Sequence, residues 1–186
     1  MPVAAWLGLL MGLSEMGLAL FKRAKSGETR SADAGSLRLL WCVIGASVFI
    51  AFMLPANAPS LNVGRPAPFI ETGAALFVAG LVLRWYAILY LGRFFTVNVA
   101  IATDHRLIDT GPYRYIRHPS YTGGLMAFVG LGLCLGNWGS LAVLVVPVVP
   151  AFSWRIRVEE AALTRALGDA YRGYMRRTKR LIPALY

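Results

Sequence analysis

Apolar residues in this chain fall in long blocks, not in the alternation of a strand or the stripe of a surface helix. The blocks cover residues 2–21, 39–56, 69–91, 120–135 and 138–154. A helix needs about 20 apolar residues, rising 1.5 Å each, to cross the hydrocarbon core. The pattern predicts an all-α, polytopic integral membrane protein with about five transmembrane helices. Only Gly136-Asn137 separates the last two blocks, which predicts a tight helical hairpin. Residues 155–183 change character. Leu163, Leu167, Ala170, Tyr171 and Tyr174 recur at helical spacing among Arg165, Arg172, Arg176 and Arg177. That predicts a C-terminal amphipathic cytoplasmic helix, broken near Gly168 or Gly173 and lying on the membrane surface or the polar loop. No repeat and no separate soluble domain interrupts 1–186. Block 2–21 lacks a basic leader and a small-residue cleavage site, so it reads as a span and not as a cleaved signal.

Composition agrees with this class: 57% of the 186 residues are hydrophobic and 15% charged. The net charge of +10 raises the possibility of a nucleic-acid partner. Its distribution argues against one. Of the 19 Lys and Arg, all but Arg65 and Arg84 fall in the 22–38 loop, the segment before residue 120 and the tail. By the positive-inside rule those regions are cytoplasmic, which places the N-terminus outside and the C-terminus in the cytoplasm. Cys42 and Cys134 then lie near opposite faces, too far apart for a disulfide.

Two charges fall inside the blocks. Glu15 and Arg84 each sit roughly 9–11 Å below the cytoplasmic surface at 1.5 Å per residue. A lone charge at that depth is costly, so two arrangements are open. The two residues pair beside a substrate passage, or Arg84 snorkels to the headgroups while Glu15 is protonated or hydrated.

The densest polar chemistry lies between the third and fourth blocks, in DHRLIDTGPYRYIRHPSY at 104–121. It holds both histidines of the chain, His105 and His118. Gly111-Pro112 signals a turn, and His118-Pro119 sets an extended residue before a helix that starts with proline. Zinc-motif spacing is absent, so no metal is expected. Ser120 lies near His118 but in no nucleophile elbow, and no glycine-rich phosphate cradle is present. What remains suits a polar, partly charged small molecule held at the membrane surface by tyrosines, histidine and turn backbone. In the tail, Glu159 is suited to an ammonium or a sugar hydroxyl. Arg155, one turn earlier, is suited to a carboxylate. For each of these, an interfacial ion pair or an aromatic-belt tyrosine is the structural alternative.

The run HRLIDTGPYRYIRHPSYTGG, then RIRVEEAAL, then LGDAYRGYMRRTKRLIP resembles the isoprenylcysteine carboxyl methyltransferase family and its phospholipid methyltransferase relatives. The resemblance covers roughly residues 80–183. It implies an S-adenosylmethionine site with S-adenosylhomocysteine as product. Within the cofactor-binding loop, 98–121, His105, Arg106, Leu107 and Ile108 would match the first cofactor-binding segment. Tyr113 would match a single tyrosine contact, His118, Pro119, Ser120 and Tyr121 the second segment, and Asn98 a further polar contact. In the tail, Glu159 or Glu160 would hold the cofactor, and Arg155 or Arg157 would face the acceptor. Arg155 and His118 are the candidate catalytic residues, Arg155 aiming a carboxylate and His118 serving as base for a less acidic acceptor. The implied reaction is methyl transfer to a lipophilic or prenylated acceptor from the bilayer, at a carboxyl or other oxygen. A lipid amine or a thiol is the alternative acceptor. Two other readings are a nicotinamide-dependent membrane reductase and a non-catalytic protein whose basic tail binds anionic lipid.

Overall fold

A computed structural model describes residues 3–21, 35–63, 67–95 and 106–183. Within them the chain forms α1 (Val3–Phe21), α2 (Ser36–Asn57), α3 (Ala67–Leu91), α4 (Pro119–Leu135), α5 (Trp138–Val145), α6 (Val148–Leu167) and α7 (Asp169–Arg177). Short 3-10 turns follow α2 and α3 and precede α4. The helices α1, α2, α3 and the stretch Trp138–Leu167, formed by α5 and α6 end to end, are long and apolar enough to cross a membrane, and α4 is a shorter apolar helix. Large apolar side chains on the outer faces are exposed, among them Trp6, Leu20, Phe49, Val82 and Leu89. In water such a surface would aggregate; in a bilayer it faces acyl chains. The molecule is an integral membrane protein.

The antiparallel pair α3–α4 forms the centre. Gly73 and Gly80 on α3 face Gly130 and Gly123 on α4, each pair one heptad apart. A Cβ on Gly123 would lie 2.4 Å from the Gly80 carbonyl oxygen, and one on Gly80 would lie 2.5 Å from the Gly123 carbonyl oxygen. Lipid tails give helices no hydrophobic reason to associate, so backbone-to-backbone approach across small residues supplies the packing. Phe77, Ala127, Phe128 and Leu131 fill the remaining interior.

The α4–α5 hairpin closes as its sequence predicts. Gly136, at φ 62°, ends α4 in the left-handed conformation. Asn137 caps α5 through its side-chain oxygen, which accepts from the Ser140 backbone N–H at 2.9 Å. The Asn137 amide also donates to the Ala58 carbonyl at 3.2 Å and to Asn62 Oδ1 at 2.8 Å, tying the hairpin to the exit of α2. Both cysteines are free.

The block 138–154 differs from its predicted form. It breaks at 146–147, where Pro147 caps α6, and α6 then runs unbroken through residue 155 to Leu167. Proline at the junction interrupts the helical hydrogen bonding. The change from apolar to charged sequence at Arg155 does not end the helix, because Arg155 and Glu160 turn into the protein interior. The tail breaks at Gly168, whose φ of 57° favours glycine, and α7 begins at once.

Glu15 and Arg84 form the bidentate pair. Arg84 Nε donates to Glu15 Oε1 at 2.7 Å and Nη2 to Oε2 at 2.8 Å. Arg84 Nη1 also donates to the Ser120 carbonyl at 3.2 Å, and the Trp85 indole donates to Ser14 Oγ at 2.8 Å. These bonds fasten α1 to the centre at the start of α4. Reversing either charge alone is expected to lower stability by about 3–5 kcal/mol, because it leaves two like charges buried together. The double reversal Glu15→Arg with Arg84→Glu should recover most of that loss in thermal unfolding of the detergent-solubilised protein. No recovery would show that the pair contributes nothing to the fold.

Candidate functional site

The segment from 106 to 118 is an ordered strap held down by the tail. Gly111, at φ 56°, opens a 3-10 turn at 111–114, and its Cβ position is filled by the Tyr90 ring. The backbone N–H groups of Arg117 and His118 donate to the Lys179 and Arg180 carbonyls at 2.8 and 3.0 Å. Thr122 Oγ1 donates to the Leu181 carbonyl at 2.7 Å. The Tyr174 hydroxyl on α7 donates to the Tyr113 carbonyl at 2.6 Å. Burial pushes the Tyr174 phenol above its usual range, so it stays protonated and keeps donating.

Glu160 is the charged centre of this arrangement. Its carboxylate accepts from Arg117 Nε at 2.8 Å, from Arg180 Nε and Nη2 at 3.0 and 2.8 Å, and lies 3.4 Å from His118 Nε2. Arg117 also donates to the Met175 carbonyl at 3.1 Å and to the Thr178 carbonyl. One carboxylate on α6 thus joins the strap, the C-terminal segment and the start of α4.

Glu159, the neighbouring residue, points elsewhere. It lines a cavity of about 570 Å³ between α1, α2, α4 and α6. Tyr113, Arg117, His118, Ser120, Tyr121 and Arg155 line it with Glu159, and the Glu15–Arg84 pair borders it. Tyr121 donates to Glu159 Oε2 at 3.1 Å, and its ring stacks edge-on against Phe152 with centroids 5.0 Å apart. Arg155 is 3% exposed and donates to Ser36 Oγ at 2.8 Å, whereas Arg157 faces outward. The helical period decides both pairs. On α6, Glu160 lies about 100° around the axis from Glu159, and Arg157 about 200° from Arg155, so one of each pair faces the cavity. Tyr113 donates its hydroxyl to the Ala87 carbonyl at 3.1 Å. Burial and the charge of Glu159 raise its phenol above the usual range, so it is a donor at neutral pH and not a base.

Away from this polar end the lining turns apolar: Gly8, Met11 and Gly12 on α1, Ile44, Gly45 and Val48 on α2, Phe128 and Leu131 on α4. The cavity therefore has the shape of an amphiphile, with charge at one end and hydrocarbon at the other.

Of the sequence-derived candidates, Tyr113, His118, Ser120, Tyr121, Arg155 and Glu159 converge on this cavity. Pro119 is buried as the first residue of α4 and sets its start. Arg106 is exposed and Leu107 and Ile108 are half-buried, and these three do not line the cavity. Asn98 and His105 lie outside the described residues. Arg117, Ser36 and Trp41 belong to or border the site without having been singled out as site residues. Ser36 and Trp41 had no legible signal, since small and aromatic residues on a spanning helix are ordinary packing. Among the described residues no cluster of His, Cys, Asp and Glu is suited to a metal ion.

The fold and the cavity define a class: a helical integral membrane protein whose polar site opens onto an apolar chamber. Comparison with known proteins then narrows it. Residues 73–165 match the family model of the isoprenylcysteine carboxyl methyltransferase (ICMT) family, and the chain belongs to that family. It is 32% identical over 151 residues to protein-S-isoprenylcysteine O-methyltransferase of Schizosaccharomyces pombe, covering 79% of this chain and 64% of that one. It is 35% identical over 113 residues to protein-S-isoprenylcysteine O-methyltransferase B of Arabidopsis thaliana, covering 60% of this chain and 57% of that one. The solved structure of the eukaryotic intramembrane Ras methyltransferase ICMT superposes with a TM-score of 0.62 at 26% identity, over 78% of this chain and 52% of that one. The chain therefore spans between half and two thirds of the length of these relatives.

Proposed function

We propose that this protein transfers a methyl group from S-adenosylmethionine to the carboxylate of a lipophilic, prenyl-thioether acceptor at the cytoplasmic membrane interface. The observation that carries the reading is the amphiphile-shaped cavity, with Glu159 and Arg155 on one helix face at its polar end. The donor set fits the cofactor. Glu159 offers a carboxylate to a cationic or hydroxylated ligand, and Tyr113, Tyr121 and His118 offer aromatic surface and hydrogen-bond donors. The bound cofactor would supply the activated methyl group. A carboxylate is already a nucleophile at neutral pH and needs orientation, not deprotonation. The Arg155 guanidinium, desolvated and braced by Ser36, would aim it by a charge-assisted hydrogen bond. Phe152 and Phe128 exclude water beside that site. The acceptor would enter from the bilayer between α1 and α2, and the cofactor from the side that carries the basic loops and tail. Relatives named protein-S-isoprenylcysteine O-methyltransferases support a prenylated acceptor.

The test is isothermal titration of purified protein with S-adenosylhomocysteine. Micromolar binding is expected, weakened about 10- to 100-fold in Glu159→Ala, as for loss of one charged hydrogen bond. Arg155→Ala should keep that affinity within a few-fold while lowering kcat/KM by about 100-fold. No binding in folded protein, or full affinity in Glu159→Ala, would overturn the assignment.

A further inference from the structure

We infer that the outer surface of the strap and the C-terminal segment docks on anionic phospholipid headgroups, and that this contact holds the strap in place from outside. The inference does not rest on the proposed reaction. It concerns what the strap lies against, not what the cavity holds.

The charge on this surface is unbalanced. Arg114 on the strap, Arg176 near the end of α7 and Lys179 just beyond it are all exposed. The fold makes them neighbours: the Arg117 backbone N–H donates to the Lys179 carbonyl, and the Arg117 side chain reaches the Met175 carbonyl. Among the described residues, the side chains of these three bases enter no ion pair and no hydrogen bond. The acids on the strap and α7 are engaged elsewhere, Asp109 with Arg177 and Asp169 with Arg172. Three like charges gathered without an acid form a surface that an anionic one complements.

Depth decides between a lipid and a soluble partner. α3 ends at Leu91, and Tyr86 and Tyr90 in its last two turns are exposed, at the level where tyrosines of a spanning helix meet the headgroups. The strap is fastened at that level. Tyr90 donates its hydroxyl to Thr110 Oγ1 at 2.9 Å, its ring fills the Cβ position of Gly111, and its centroid lies 6.4 Å from that of Tyr113. Tyr115, 66% exposed, follows Arg114 and adds an amphipathic ring to the same surface. Headgroups already occupy this level, whereas a soluble acidic protein would have to displace them.

The contact bears on the site because the strap carries Tyr113 and ends on His118, and both line the cavity. From inside, Glu160 ties the strap down through Arg117. From outside, each base near an anionic leaflet favours contact about fivefold, and three together on the order of 100-fold. The inner tie is fixed by the fold, and the outer one varies with the lipid.

The experiment is hydrogen–deuterium exchange of the full-length protein, without cofactor or acceptor, in two kinds of nanodisc. One is phosphatidylcholine alone, the other phosphatidylcholine mixed with phosphatidylglycerol. Amides of residues 106–118 should exchange about tenfold more slowly in the anionic discs at low salt. That difference should vanish in about 1 M salt, where charges are screened beyond about 3 Å. Arg114→Gln with Arg176→Gln and Lys179→Gln should remove the slowing and leave exchange in neutral discs unchanged. Arg38→Gln with Arg157→Gln and Arg165→Gln, which takes the same charge from other exposed positions at that end, should retain it. Equal exchange in the two discs would overturn the inference. So would slowing that survives the first triple variant, or slowing that both triple variants abolish. Slowing by soluble polyglutamate in neutral discs, with none from phosphatidylglycerol, would assign the surface to an acidic protein and overturn it as well. Because no cofactor is present, failure of S-adenosylhomocysteine to bind would remove the proposed reaction and leave this result standing.

Discussion

Gly123→Val is expected to abolish the folded state, whereas Gly17→Ala should be neutral or slightly stabilising. Both glycines lie in membrane helices, and sequence alone ranks them alike. The difference is what surrounds them. A Cβ at 123 would lie 2.4 Å from the Gly80 carbonyl oxygen, 2.6 Å from Arg84 N and 3.0 Å from Arg84 Cα. All three are backbone atoms and cannot rotate away, so α3 and α4 must separate. Separation would undo the close packing along Gly73, Gly80, Gly123 and Gly130 and move Arg84 from the Ser120 carbonyl. Overpacking alone costs about 1–3 kcal/mol, and the coupled loss of the central helix pair adds to it. At Gly17 a Cβ would meet nothing within 4 Å, and alanine would gain up to about 1 kcal/mol of helix propensity. Thermal unfolding in detergent checks both. A Gly123→Val protein as stable as its parent would show that the α3–α4 pair does not pack at backbone contact.

Glu160→Ala is expected to eliminate S-adenosylhomocysteine binding although Glu160 is not among the residues lining the cavity. Its removal leaves the Arg117 guanidinium, 9% exposed, without its buried counter-charge. It also takes away the acceptor of Arg180 and the neighbour of His118. Breaking a buried pair from one side costs about 3–5 kcal/mol. Here that loss falls on the junction of strap, tail and α4, so residues 106–118 should detach with the segment around Lys179. Two readouts separate this from Glu159→Ala. Glu160→Ala should lower the unfolding temperature and open the Lys179–Arg180 region to trypsin. Glu159→Ala should lose affinity with neither change. Glu160→Gln, which keeps the volume and one acceptor oxygen, should be intermediate. Unchanged stability and proteolysis in Glu160→Ala would show that the strap is held by its backbone hydrogen bonds alone.

How far the sequence reaches can be judged residue by residue. The helices, the hairpin at Gly136-Asn137 and the break at Gly168 follow from local rules: apolar length, a left-handed glycine, a capping asparagine. The need for a partner at Glu15 and at Arg84 was also legible, because an isolated charge in hydrocarbon is costly wherever the chain goes. The polar segment ending in His118-Pro119 announced itself as the cluster between apolar blocks that holds both histidines beside tyrosines and arginines. Family resemblance narrowed which of its residues to watch.

Tertiary structure decided the rest. Sequence spacing left Glu159 and Glu160 equivalent, as it left Arg155 and Arg157. Which member of each pair faces the cavity depends on the rotation of α6 about its axis, and contacts with α2, α4 and the strap set that rotation. Glu15 and Arg84 lie 69 residues apart, and only the packing of α1 on α3 turned two separate needs into one bidentate pair. The chamber is likewise invisible along the chain, since space is bounded by several helices at once. Local order is written in the sequence because hydrogen bonding and apolar length act over a few neighbours. Pairing and cavity shape are not, because they arise from contacts between segments that the sequence leaves far apart.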